Sequence, residues 1–127
     1  MEDSGIILCD TNIIIAFFKG DANITNRLRQ IRQENIAISS ISTGELIFGA
    51  LNRRELNQIL KHLAKLNTLH LDESISKKCI ELMTNYSLSH NLSLPDALIA
   101  ATAIHHKTPL YTLNTRDFRY INGLDLH

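Results

Sequence analysis

Little in the 127 residues calls for a covalent staple, a membrane or a phosphate loop. Cysteine is scarce. Cys9 lies in an apolar run and Cys79 in a predicted helix, without metal-ligand spacing or a disulfide framework, so both read as small core residues of a protein in a reducing compartment. No stretch approaches the length of a membrane span, and Met1-Glu2-Asp3-Ser4 is acidic where a signal peptide is positive, which predicts a cytoplasmic protein. Gly44 and Gly49 do not make a phosphate-binding loop, because no Gly-Lys-Ser or Gly-Lys-Thr follows them. Neighbouring His105 and His106 point about 100° apart on a helix and make a poor metal pair. No spacing supports a Ser or Cys nucleophile triad. Repeats, low-complexity tracts and Pro/Gly/Ser-rich linkers are also missing, which predicts a single domain over residues 1–127.

Charge of one sign is lacking as well. Thirteen Lys and Arg face thirteen Asp and Glu, which at first argues against a nucleic-acid binder. If Asp10, Glu45, Asp96 and Asp117 are gathered into one pocket, nine acids remain against thirteen bases, and the rest of the surface leans basic.

What is present is an ordinary globular composition, 44% hydrophobic and 20% charged, in a chain long enough to bury a core. Gly5 to Cys9 is a continuous apolar run fit for a central parallel strand, and Asn12 to Phe18 is the helix after it, ended by Gly20-Asp21. Ala22 to Arg32 is a helix with one basic face, and Ile36 to Ile38 the next strand. Helices over Ser42 to Leu51 and Glu55 to Leu66 follow, then a short strand at Leu69 to Leu71. Glu73 to Ser89 and Pro95 to His105 are helices, Leu110 to Leu113 a strand, Thr115 to Phe118 a turn and Leu124 to His127 an edge strand. This alternation predicts an α/β sandwich with a mostly parallel sheet, whose ligand site lies beyond the carboxyl ends of the strands. Asp10 and Asn114 close two of those strands and point into the same crevice.

Each acid has a plain structural alternative. Asp10-Thr11-Asn12 suits a helix cap, and Glu45 stands three residues after Ser42, the capping-box spacing. Asp96 follows Pro95 in a first helical turn, and Asp117 suits a surface turn beside Arg116 and Arg119. These roles leave unexplained why all four acids fall at strand ends or helix starts on the ligand side of the sheet. Converging carboxylates repel one another without a cation, and hard oxygen donors in that number match Mg²⁺ or Mn²⁺.

The segments "ILCDTNIII", "SSISTGELIFGAL", "LSLPDALIAATA" and "LYTLNTRDF", in this order and spacing, resemble those of PIN-domain ribonucleases, and most of all the VapC-type toxins of bacterial and archaeal toxin–antitoxin modules. The resemblance covers essentially the whole chain and implies a PIN-like αβα sandwich. It places an acidic catalytic and metal-binding quartet on Asp10, Glu45, Asp96 and Asp117, with Thr11, Asn12 and Asn114 as supporting polar residues. It implies cleavage of a structured RNA such as tRNA or rRNA with Mg²⁺ or Mn²⁺, arrest of translation, a homodimer and a VapB-type antitoxin that covers the acidic pocket.

On that reading Asp10 and Asp96 hold the first ion, while Glu45 and Asp117 orient water or hold a second. Backbone phosphates fall to Arg116 and Arg119 before Lys19, Arg27, Arg29, Arg53 or Arg54, and helices between Glu55 and Tyr86 supply the partner surface. Two rivals remain: a receiver-like phosphate-handling domain with Asp10 near a metal, and a PIN-like scaffold that binds RNA or a partner without cutting.

Overall fold

The runs at Ile7 to Cys9, expected as a central strand, and at Ile36 to Ile38, expected as the next, are both central and apolar on both faces because helices cover both faces. The computed structural model describes residues 5–127; Met1 to Ser4, whose acidity argues against a signal peptide, lie outside them. In chain order the elements are β1 (Ile7–Cys9), α1 (Thr11–Phe18), α2 (Ala22–Ile31), β2 (Ile36–Ser39), α3 (Ser40–Phe48), α4 (Arg53–Leu63), β3 (Asn67–Leu69), α5 (Glu73–His90), α6 (Leu94–His106) and β4 (Leu110–Tyr111). Short 3₁₀ turns occupy Gln33–Asn35 and Thr115–Asp117.

Alternate residues of each strand feed different cores. Leu8, Ala37 and Leu110 pack with Ile75, Cys79 and Leu82 of α5 and Ala97, Ala100 and Ala101 of α6. Ile7, Cys9, Ile36 and Ile38 pack instead with Ile13 and Ile14 of α1, Leu28 of α2 and Ile59 and Leu63 of α4. The result is the expected αβα sandwich, and its sheet is wholly parallel, in the order β3-β2-β1-β4. From β1 the chain moves to β2 and β3 on one side and returns to β4 on the other. The crevice where strand order reverses therefore opens between the ends of β1 and β4.

Several boundaries differ from the pattern in the sequence, each for a local reason. Gly5 takes φ +77°, so β1 starts at Ile7. The Ser39 hydroxyl accepts from the Ser42 N–H at 3.2 Å, so α3 begins at Ser40 and ends at Phe48. Asn52 caps α4 by accepting the Glu55 N–H at 2.9 Å, and that helix runs from Arg53 rather than Glu55. The Asn67 amide donates to the carbonyls of Glu34 and Ile36, which draws β3 two residues earlier than Leu69. Leu124 to His127 forms one parallel bridge, Leu126 to Leu110, rather than an edge strand. Among the described residues, no helix is long and apolar enough to cross a membrane.

Candidate active site

Asp10 leaves β1 directly into α1. Its backbone N–H donates to the Tyr111 carbonyl at 2.8 Å, which locks it beside β4, and its Oδ1 accepts the Thr11 N–H at 2.8 Å as the cap of α1. Oδ2 accepts the Thr112 hydroxyl at 2.8 Å. The residue is only 6% exposed. Burial pushes its carboxyl up from the usual range, opposed by the Thr112 and Thr11 bonds and reinforced by Glu45 and Asp117. The cap bond and the Thr112 bond together occupy one acceptor site on each oxygen, and each oxygen keeps further acceptor capacity.

Glu45 does not close a capping box on Ser42, because the Ser42 N–H is already held by Ser39. Its carboxylate accepts instead from the Thr11 hydroxyl at 2.6 Å, across the seam between α1 and α3. Thr11 Oγ1 also lies 2.8 Å from Ser42 Oγ. A hydroxyl has one hydrogen, and the short bond to the carboxylate takes it, so the buried Ser42 hydroxyl donates to Thr11. Ser42 to Thr11 to Glu45 is one directed chain.

Asp96 sits in the first turn of α6, its N–H donating to Ser93 Oγ at 3.3 Å. Burial pushes its carboxyl from 3.8 to about 6, helped by Asp10, then Asp117, and by Glu45, against a smaller opposing bond from Ser93. Asp117 ends the 3₁₀ turn after β4 and is exposed, its N–H bonded to the Asn114 carbonyl at 3.0 Å. All four acids therefore share one electrostatic neighbourhood.

Of the supporting polar residues, Asn12 accepts the Leu113 N–H at 3.2 Å and reaches Thr112 at 3.4 Å, tying α1 to the chain beyond β4. Asn114 contributes through its backbone, its N–H donating to Thr112 Oγ1 at 3.1 Å. Thr112 carries no signal in the sequence, being a lone hydroxyl after an apolar strand, and the spacing of Ser42 to Glu45 points to a capping box rather than to its bond with Thr11. Arg116 and Arg119 are exposed beside Asp117 and form no ion pair among the described residues. Arg27 is turned to Gln30 and His127, away from that role.

Among the described residues, no ion pair joins any of the four acids to Lys, Arg or His. Nor do three or more His, Cys, Asp or Glu close into a ready metal cage there. Repelling carboxylates without a cationic partner fit a hard divalent ion of the Mg²⁺ kind, which takes one or two carboxylates and keeps its waters, and they do not fit a caged soft-metal site.

Next to Glu45 a cavity of about 530 Å³ is lined by Ile15, Phe18, Lys19, Ile59 and His62, with a second of about 520 Å³ beyond Phe17 and Phe18. Ile47, Phe48 and Leu51 of α3 and the α3–α4 loop are exposed, Phe48 at 92%, and so are Leu60, Leu71 and Ile80 within the span from Glu55 to Tyr86.

The family described as PIN domain matches residues 7–124. A curated relative, Ribonuclease VapC10 of Mycobacterium tuberculosis (strain CDC 1551 / Oshkosh), is 35% identical over 115 residues, 89% of this chain and 86% of that protein. Among solved structures, a toxin–antitoxin complex from Klebsiella pneumoniae superposes with a TM-score of 0.79 at 32% identity, covering 93% of this chain and 94% of the other. VapBC2 from Rickettsia felis, bound to a DNA fragment from its promoter, gives 0.80 at 28% identity over 96% and 97%.

Proposed function

The chain belongs to the PIN-domain family, and from that premise we propose that it is a metal-dependent endoribonuclease, the toxin of a VapBC-type toxin–antitoxin module, acting as a single PIN domain in the cytoplasm. The observation that carries the reading is the pair Asp10 and Asp96, pushed up by burial and by neighbouring carboxylates with no cation to relieve them. Relatives named ribonucleases support the reaction, and neighbours solved as toxin–antitoxin complexes support an antitoxin partner.

Asp10 and Asp96 would hold Mg²⁺ or Mn²⁺, with Glu45 and Asp117 orienting water or holding a second ion. A bound ion of this kind supplies a water of lowered pKa and neutralises charge on the phosphate oxygens. The chain does the positioning. Thr112 and Thr11 fix the Asp10 carboxylate, and the Ser42–Thr11 chain aims Glu45 across the helix seam. Arg116 and Arg119 would meet backbone phosphates of a structured RNA such as tRNA or rRNA, whose cutting would stop translation. Exposed Phe48 and Leu51, with the exposed apolar residues between Glu55 and Tyr86, would meet a VapB-type antitoxin helix. A homodimer is the expected assembly, and light scattering after gel filtration that reads a monomer at micromolar concentration would remove that part.

The reading is tested by incubating total RNA with antitoxin-free protein in Mg²⁺, Mn²⁺ or EDTA. Discrete fragments that require metal and disappear with Asp96→Asn are expected; no metal-dependent difference between the two proteins would leave a non-cutting scaffold. Thr11→Val should lower cleavage about 10- to 100-fold by freeing Glu45, while Thr11→Ser, which keeps the hydroxyl, should stay within a few-fold of wild type. Equal loss in both variants would show that the methyl group, not the hydrogen bond, matters.

A further inference from the structure

Beside the acids stands a group of rings that the chemistry above does not use. His90, the last residue of α5, lies flat on Tyr120, with centroids 3.9 Å apart and planes within 9°. Tyr86 meets both rings edge-on, at 5.2 Å from Tyr120 and 5.8 Å from His90. Tyr120 is three residues from Asp117, and His90 is six from Asp96 across the turn between α5 and α6. The Tyr120 phenol is pushed up by burial and then by Asp96 and Asp117, as expected of a ring at the edge of the acidic crevice.

Packing alone accounts for two of the three rings. Tyr86 accepts the Asn122 N–H at 3.1 Å, and both tyrosines are half-buried against the core. His90 is exposed, with Tyr120 stacked flat on its imidazole and Tyr86 meeting it edge-on. Its ring is also held by the Ser89 hydroxyl, 2.7 Å from Nδ1, so it is presented at a fixed angle. A flat, preordered, solvent-exposed ring is what an unpaired base stacks on, because every base has a π-face and stacking needs no charge. Stacking adds a hold on the neighbouring nucleotide that does not depend on the charges of the crevice.

We propose that the exposed ring of His90, backed by Tyr120, is the stacking platform for an unpaired RNA base next to the cleaved phosphate. This deepens the nuclease reading and rests on it for the identity of the ligand. It makes single-stranded loop nucleotides, rather than paired helix, the segment that enters the site, with exposed Arg119 next to the platform for the adjoining phosphate.

The probe is a ten-nucleotide RNA alternating uridine and 2-aminopurine, phosphorothioate-linked to slow cleavage, titrated with the full chain in Mg²⁺. Stacking quenches 2-aminopurine. Wild type and His90→Phe are expected to quench it, and His90→Ala, with an unchanged circular dichroism spectrum, to bind about tenfold more weakly with the quench lost. The same strand annealed to its complement should quench in no variant. Equal quench and affinity in wild type and His90→Ala, or no quench by wild type, overturns the platform. Metal-dependent cleavage of total RNA, with cut positions and KM unmoved by His90→Ala, would overturn it while leaving the nuclease intact. Quench through His90 without any cleavage would keep the platform and remove the nuclease.

Discussion

Asp96→Asn is expected to lower metal-dependent RNA cleavage by about 10³-fold or more while making the metal-free protein more heat-stable. The two effects have opposite signs because they come from the same charge. In the folded chain the Asp96 carboxyl sits at about 6 against 3.8 unfolded, driven by burial and by Asp10 and Asp117. Between those values the folded state holds the proton more tightly than the unfolded one. The group's contribution is therefore most favourable below pH 4 and is lost as pH rises towards 6, beyond which the ionised acid is a standing cost. Asn removes that cost. Discounted for partial exposure, the gain at pH 7 in EDTA is about 1 kcal/mol, or roughly 3–6 °C in Tm for a domain of this length. Scanning calorimetry in EDTA should show the two proteins diverging through pH 4–6, and added Mg²⁺ should raise the Tm of wild type alone. A variant less stable than wild type at pH 7 in EDTA would mean that the acids do not strain the empty crevice.

Phe118→Ala is expected to destabilise by about 3–5 kcal/mol and to drop Tm by more than about 10 °C. Phe118 is 1% exposed and packs in the same core as Leu8, Ile99 and Leu110. It directly follows Asp117, and its N–H bonds the Thr115 carbonyl at 3.1 Å, so it anchors the turn that presents that acid. Cleavage measured well below the Tm should therefore fall as well, whereas Phe118→Leu, which refills most of the volume, should keep both properties closer to wild type. Urea unfolding decides it. A loss under 1 kcal/mol would show that the turn is held by its backbone bonds alone.

The position of Asp10 was legible because it closes an apolar run. Ile7 to Cys9 and Ile36 to Ile38 read as buried strands, and a carboxylate closing such a run has to face the crevice at the sheet's end. What the pattern could not carry were partners far away in the chain. Thr112 stands 102 residues from the acid it bonds, and Ser42 stands 31 from Thr11. Glu45 showed a capping-box spacing that the fold does not use, because Ser39 is one turn better placed to cap α3. The stack of His90 on Tyr120 was illegible for the same reason, being made by two elements that meet only in three dimensions.

The order β3-β2-β1-β4 also governs when the crevice is complete. Asp10, Thr11 and Glu45 come together through α1 and α3 alone, but the Asp10–Thr112 bond spans 102 residues of chain, and β4 takes its place beside β1 only after α6 has been laid down. The four acids therefore meet only when β4 docks on β1, so closing that one strand pair is what assembles the crevice.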